Sequence, residues 1–198
     1  MTMTTPETTP PKQALAFAIR DERTTDVTAR ERLLDVCFGA DRESRTCQRL
    51  RDGRLPADGL AFTATHRRRL VGTVRLWHVM AGGKPALMLG PLAVEPGLQS
   101  SGIGAALMRH AIAEARRLGH QAIMLLGDAP YYVRFGFAAE KVRDLVLPGP
   151  FERDRLLGLE LVDGALAGAW GMTMPTGVRA PEARGHRGRV KRLAARVA

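Results

Sequence analysis

The sequence predicts a mixed α/β domain of the α+β type, one mostly antiparallel sheet flanked by helices. Three observations lead there. Through the middle of the chain, strand-like apolar stretches separated by turn residues follow one another as an antiparallel meander. Two helical stretches precede the meander, and a longer one follows it and runs into a short apolar strand, which makes a β-helix-β unit. The length of 198 residues, 45% hydrophobic and 25% charged, suits one good core and is short for two.

The elements follow in order. The stretch "ALAFAIR", residues 14–20, alternates enough for a first strand. In "TTDVTARERLLDVCFG", Thr25 or Asp26 is the N-cap of a helix whose apolar face is Val27, Leu33, Leu34 and Cys37, with Gly39 as its stop. A second, more polar helix is expected from Arg42 to Asp52, ended by Gly53. "LAFTATHRRRLVGTVRLWHV" reads as a hairpin turning near His66 to Arg69, and the glycines at 82 and 83 turn the chain into a third strand, Ala86 to Val94. Gly90-Pro91 interrupts that strand. Proline cannot donate to a ladder, and a strand glycine marks a bulge or a close approach, so pairing breaks there. A helix from Ile103 carries Leu107, Ala111, Ala115 and Leu118 on one face and closes at Gly119. "QAIMLLG" is an internal strand by its wholly apolar character. A polar strand near 138–147 and a strong strand in "LLGLELVDGAL" complete the set.

Composition narrows the function. No apolar run approaches the roughly 18 residues that a membrane-spanning helix needs. The Thr/Pro-rich residues 1–13 lack an apolar h-region and are expected to be a disordered leader, not a signal peptide, ahead of a domain over 14–175. Two cysteines, Cys37 and Cys47, fit reduced thiols in a cytoplasmic protein, and the five scattered histidines show no metal-ligand spacing, so no metal is expected. The formal net charge is +10, of which +6 falls in the last twenty residues. Residues 176–198 are therefore expected to be a flexible basic tail, open to contact with a polyanion.

The loop "QSSGIG", Gln99 to Gly104, opens the long helix. A helix N-terminus leaves N–H groups unpaired and carries about half a positive charge, and glycines let a ligand reach them without meeting a Cβ. A Walker loop is excluded because no Gly-Lys-Ser/Thr follows. A dinucleotide fingerprint is excluded because Leu107 stands where its third Gly or Ala belongs and no acidic residue ends the next strand.

Gln-x-x-Gly-x-Gly after a strand ending "LAVEP" resembles motif A of the GCN5-related N-acetyltransferase (GNAT) superfamily. "YYVRFGF", Tyr131 to Phe137, resembles its motif B, Tyr-x-x-x-Gly-Phe, about thirty residues on and in the right element order. The likeness extends over about Ala14 to Met174, and "LLGDAPYYVRFGF" is similar to a bacterial subgroup of acetyltransferases with undefined acceptors.

The resemblance implies a single domain whose sheet splays at the bulged strand, and direct transfer of acetyl from acetyl-CoA to an amine in a ternary complex. Leu92, Ala93 and Val94 would pair with the pantetheine arm, and a strand N–H near Val94 would polarise the thioester carbonyl. Backbone N–H groups from Gln99 through Ser100, Ser101, Gly102, Ile103, Gly104 and Ala105 would hold the pyrophosphate. Gln99 replaces an arginine common in relatives. Tyr132 stands at the position of the general acid, with Tyr131 one residue away as its competitor. The base is not assigned, because Met88 stands where some relatives carry a glutamate. Asp128, Glu43, Asp41, His78 and a water chain are the candidates, Asp128 also standing near a cofactor-contacting asparagine of relatives. Arg109 and Arg134 are candidates for phosphate contact or plain surface arginines. The acceptor is a small-molecule or peptide amine, and a homodimer is left open; the alternative reading is a catalytically weak CoA-binding sensor or a nucleic-acid-associated module that uses the basic tail.

Overall fold

A computed structural model describes residues 15–39 and 41–181. The leader and residues 182–198, which hold most of the tail's charge and the polyanion contact expected of it, lie outside the described residues.

Strands β1 (Ala18–Asp21), β2 (Ala61–His66), β3 (Arg69–Ala81), β4 (Lys84–Val94), β5 (Ala122–Leu126), β6 (Leu145–Val146), β7 (Leu156–Glu160) and β8 (Gly171–Pro175) form one open sheet. Its main order is β1-β2-β3-β4-β5-β7, with β8 paired to the far end of β3 and to β6. Pairing is antiparallel except between β4 and β5 and between β6 and β8. Helices α1 (Val27–Phe38), α2 (Ile103–Arg117) and the single turn α3 (Ala129–Tyr132) complete the domain.

The meander forms because its turns fit strand twist. Arg67 and Arg68 both have positive φ, 47° and 64°, as do Gly82 and Gly83, at 53° and 86°. Two such residues in sequence make the tight turn that right-twisted strands favour. Alternation then sends neighbouring side chains to opposite faces. Leu76, Leu87 and Ile123 join Phe62, Ile103, Leu107, Met108 and Phe137 in the core under α2. Trp77, Met88 and Met124 join Leu50, Leu145 and Leu156 in a second core on the other face. β5 is internal, parallel to β4 on one side and antiparallel to β7 on the other, as its apolar run implies.

Helix α1 starts and stops where its caps predict, with Asp26 at the N-cap and Gly39 at the end with φ 84°. Asp26 does not cap the helix with its side chain. Its carboxylate accepts both Arg20 guanidinium nitrogens at 2.7 and 2.8 Å and the Arg23 N–H at 2.8 Å. The hydrogen bonds from Arg20 hold its pKa below the ordinary carboxylate value, against the opposing cost of burial. Leu33 and Leu34 pack on Ala93, while Val27, expected on the apolar face, is 44% exposed. Glu22, paired with both Arg30 and Arg75, ties α1 to β3.

Three expectations are corrected, and one strand is new. The helix from Arg42 to Asp52 is two 3-10 turns, Arg42–Ser44 and Thr46–Leu50, separated at Arg45 by extended backbone (ψ 145°). The segment offers no helical apolar stripe, and its arginines bind backbone oxygens instead, Arg45 to Phe38 O at 3.0 Å and Arg49 to Pro148 O at 2.7 Å. The polar strand at 138–147 reduces to a bridge at Ala138 and the two residues of β6, around a 3-10 turn, Glu140–Val142. β8 was not anticipated, because Met172 and Met174 face outward and Thr173 inward, the inverse of the pattern that marks a half-buried strand. Finally, the chain from 176 to 180 is tied to the body: Thr176 N–H bonds His78 O at 3.1 Å, Leu55 N–H bonds Val178 O at 2.8 Å and Ala180 N–H bonds Gly53 O at 2.9 Å.

Leu107 is fully buried where α2 meets β3, and the loop ahead of α2 depends on that seating. Leu107→Ala is expected to cost about 2–5 kcal/mol of stability, read by urea denaturation.

Candidate active site

The sheet splays because β4 and β5 pair for only two residues, Leu87 with Ile123 and Met88 with Met124. Beyond them, Gly90-Pro91 forms a bulge against β3, where Leu76 pairs with Leu89 but Val74 pairs with Leu92. The buried Trp77 indole N–H donates to Gly90 O at 2.6 Å and pins the bulge. Between the diverging strands lies a cleft of about 1060 Å³.

One wall is the outgoing half of β4. Glu95 N–H bonds Val71 O of β3 at 2.9 Å, so alternation turns the N–H and C=O of Val94 toward the gap. Val94 O accepts from the Cys37 thiol at 3.3 Å. Burial pushes that thiol's pKa up and keeps it a donor. Leu92 and Val94 line the cleft, whereas Ala93 is buried against Leu33 and Leu34 of α1. Of the three strand residues singled out, two therefore face the gap and the middle one supports α1.

The end wall is the loop into α2. Gly102 is the N-cap, with φ 89°, and Ser100 also has a left-handed φ of 64°, a conformation non-glycine residues adopt at a cost. Among the described residues, the backbone N–H groups of Ser100, Gly102, Ile103, Gly104 and Ala105 find no acceptor. Those of Gln99 and Ser101 are turned inward, to Pro96 O and Leu98 O at 3.4 Å each. The Ser101 hydroxyl also bonds Leu98 O at 2.5 Å, and so serves the turn. The Ile103 side chain is fully buried in the core, leaving its N–H at the helix start. Unpaired N–H groups at the positive end of a 15-residue helix suit an anionic group. A Cβ on Gly104 would stand 3.0 Å from the Tyr131 hydroxyl, so the loop's open face lies under that tyrosine.

The opposite wall is α3 and the end of β5. Tyr131 and Tyr132 both line the cleft, their rings edge to face at 4.9 Å. Tyr132 packs on Phe137 at 6.0 Å and covers Gly127. Burial, aided by Tyr131 and Asp128, pushes its pKa up to about 12. Tyr131 packs on Phe135 under the Arg134 guanidinium, 4.2 Å above its ring. Burial raises its pKa, while Arg134 and Arg109 oppose the shift. Arg134 also lines the cleft; Arg109 stands over Phe135, outside it.

The candidates for the base separate. Asp128 lines the cleft, exposed and 3.1 Å from Arg155. Glu43 and Asp41 are exposed outside it, and His78 sits beside His120 at 5.3 Å, also outside. Met88 is fully buried in the second core. Sequence reasoning missed Glu152, which lines the cleft 3.7 Å from Arg155, and Arg51, which lines it beside Gly90. Neither falls in a motif, and both come from segments without regular periodicity.

The comparisons with known proteins bear on this geometry. The sequence model of the Acetyltransferase (GNAT) family matches residues 27–137, which span α1, the bulged strand, the loop and both tyrosines. The chain belongs to the GNAT family of acetyltransferases, and so to the acyltransferase class of enzymes. It is 28% identical over 156 residues to the uncharacterized N-acetyltransferase YhbS of Escherichia coli, covering 78% of this chain and 93% of that one. It is 32% identical over 104 residues to the uncharacterized N-acetyltransferase YjhQ of the same organism, where it spans 58% of the relative and 50% of itself. The crystal structure of Escherichia coli YhbS in complex with CoA superposes with a TM-score of 0.70 at 29% identity, over 86% of this chain and 94% of that one. A GNAT family acetyltransferase from Brucella melitensis in complex with acetyl-CoA gives 0.56 at 28% identity, over 85% and 97%.

Gly127 is required by the Tyr132 ring, since a Cβ there would meet Tyr132 Cε2 at 2.3 Å. Gly127→Ala is expected to destabilise the protein by about 1–3 kcal/mol. In a Tyr132→Ala background the same change should cost clearly less, a coupling read from a double-mutant cycle of urea unfolding.

Proposed function

We propose that this chain transfers an acetyl group from acetyl-CoA to the primary amine of an acceptor by direct attack within a ternary complex. The observation that carries the reading is the pairing of two features in one cleft: a strand edge at Leu92 to Val94 that β5 leaves uncovered, and the unpaired N–H groups at the start of α2. A cofactor with an amide-bearing arm and a pyrophosphate fits both. The YhbS structure with CoA and the Brucella structure with acetyl-CoA support it.

Acetyl-CoA supplies the activated thioester, and this chain's residues bind and polarise it. The outward backbone groups of Leu92 and Val94 take the pantetheine amides as an added strand would. Ala93 contributes by seating that strand on α1. The N–H groups of Ser100, Gly102, Ile103, Gly104 and Ala105 hold the pyrophosphate, with Gln99 and Ser101 shaping the turn that presents them. A strand N–H of the Leu92 to Val94 segment donates to the thioester oxygen and stabilises the negative charge that attack creates.

Tyr132 donates its hydroxyl proton to the departing thiolate. Its raised pKa keeps it protonated at neutral pH, and the proton moves only as negative charge builds on the sulfur. Tyr131, whose hydroxyl hangs over Gly104, closes the loop over the cofactor. Asp128 stands at the mouth of the cleft and accepts the amine's proton through water.

Two variants test the assignment. Gly104→Glu puts a charged side chain under the Tyr131 hydroxyl and against the pyrophosphate, and should abolish acetyl-CoA binding in calorimetric titration. Wild-type affinity would overturn the loop's role. Tyr132→Phe should lower kcat about 10²-fold or more with acetyl-CoA affinity unchanged, while Tyr131→Phe should weaken acetyl-CoA binding first. The reverse pattern would exchange the two roles.

A further inference from the structure

The half of the cleft away from the α2 loop is cationic, and its charge is unevenly matched. Five arginines line the cleft against two carboxylates, Asp128 and Glu152, both of which pair with Arg155. The Arg42 charge is met by Glu31 at 2.5 Å and Asp35 at 2.7 Å, and Arg134 lies over Tyr131 at the loop end. Arg45 sits on the Phe38 ring and bonds a backbone oxygen.

Arg51 is different. Its Nε is buried and has no hydrogen-bond partner among the described residues, and no carboxylate there forms an ion pair with it. Its neighbour Asp52 already accepts the Gln48 amide at 2.7 Å. Burial lowers the Arg51 pKa, with the Cys47 thiol and, more weakly, the Asp52 carboxylate opposing. A guanidinium does not lose its proton in a protein, so the charge stands. The residue as a whole is half-buried and lines the cleft, so its charge is available to a ligand there.

The position is informative. Arg51 Nη2 lies 3.9 Å from the point where a Gly90 Cβ would stand, at the bulge from which the acetyl-holding strand departs. Leu92 and Val94 are two and four residues further along β4, about 7–13 Å at roughly 3.3 Å per residue. A small molecule spans that interval. With its amine at the thioester, its other end reaches Arg51.

We propose that the acceptor is a small amine that also carries a carboxylate, and that Arg51 is the residue that selects it by holding that carboxylate. The proposal rests on the acetyltransferase reading of the same cleft. A guanidinium presents a planar fork that matches a carboxylate through two parallel hydrogen bonds. The same cationic surroundings disfavour polyamines and other polycations, and they lower the pKa of a bound ammonium, which raises the fraction of nucleophilic free amine.

The test uses the full chain. Acetyl-CoA is titrated first by calorimetry, and absence of binding defeats the acetyltransferase reading and this inference with it. With acetyl-CoA bound, thiol release is followed with glycine, β-alanine, 4-aminobutyrate and 6-aminohexanoate, each against the alkylamine of the same chain length, and with spermidine and phosphoethanolamine. An acid is expected to exceed its matched alkylamine about 10- to 100-fold in kcat/KM at the preferred length. Arg51→Gln should erase that ratio through a raised KM for the acid, with acetyl-CoA affinity unchanged. Binding of the N-acetylated acids to the CoA-loaded protein, against the N-acetylated alkylamines, gives a second readout independent of turnover. Preference for alkylamines or spermidine, preference for phosphoethanolamine over every acid, a ratio untouched by Arg51→Gln, or no acid preference in either readout would overturn the proposal while leaving the acetyltransferase reading in place.

Discussion

The cleft depends on one interruption in one strand. β4 pairs with β5 over two residues and then leaves it, because Gly90-Pro91 cannot continue the ladder and the Trp77 indole holds the Gly90 carbonyl in the bulged position. A sheet that stayed paired to its end would bury the backbone groups of Leu92 and Val94 in hydrogen bonds and leave no gap. The outgoing half of β4 stays in place without β5 because β3 and α1 hold it, β3 through the ladder and α1 through Leu33, Leu34 and the Cys37 thiol. The site is thus an unfinished sheet, its open strand held by β3 along one edge and by α1 on one face.

The second constraint is close packing at the two glycines the cleft cannot lose. Gly104 lies under the Tyr131 hydroxyl and Gly127 under the Tyr132 ring. The two tyrosines, adjacent in sequence and edge to face in space, therefore look onto different parts of the cleft: one onto the helix start, the other onto the end of β5. Adjacent residues on a single helical turn point about 100° apart, which sets the two rings of one dipeptide over different glycines.

Charge is distributed with the same economy. The arginines near α1 are matched by Glu22, Glu31 and Asp35 and brace the helix against β3 and the following turn. Arg51 is not matched in this way, and it faces the cleft. A cation with no carboxylate partner among the described residues, lining a cleft beside the strand bulge, is a feature that an incoming anion can satisfy.

Much of this was legible in the residues alone. Local signals decided the meander, whose turn residues and alternation need only near neighbours in sequence, and α2, whose cap and stripe are periodic. The Gly90-Pro91 break was legible because proline lacks a donor wherever it stands, and the helix start because glycine spacing there is a backbone requirement. Other features had to wait for the fold. The segment from Arg42 to Asp52 has no periodicity of its own, and its 3-10 turns are set by carbonyls of residues 38 and 148 that only folding brings near. β8 exists because the far end of β3 offers an open edge, not because its own pattern asks for a strand. The packing of Tyr131 over Gly104 and of Tyr132 over Gly127, the turning of Ala93 away from the cleft, and the entry of Arg51 and Glu152 into it are also tertiary. Sequence determines which groups a short stretch can offer; which of them face the same cavity is decided by contacts between stretches far apart in the chain.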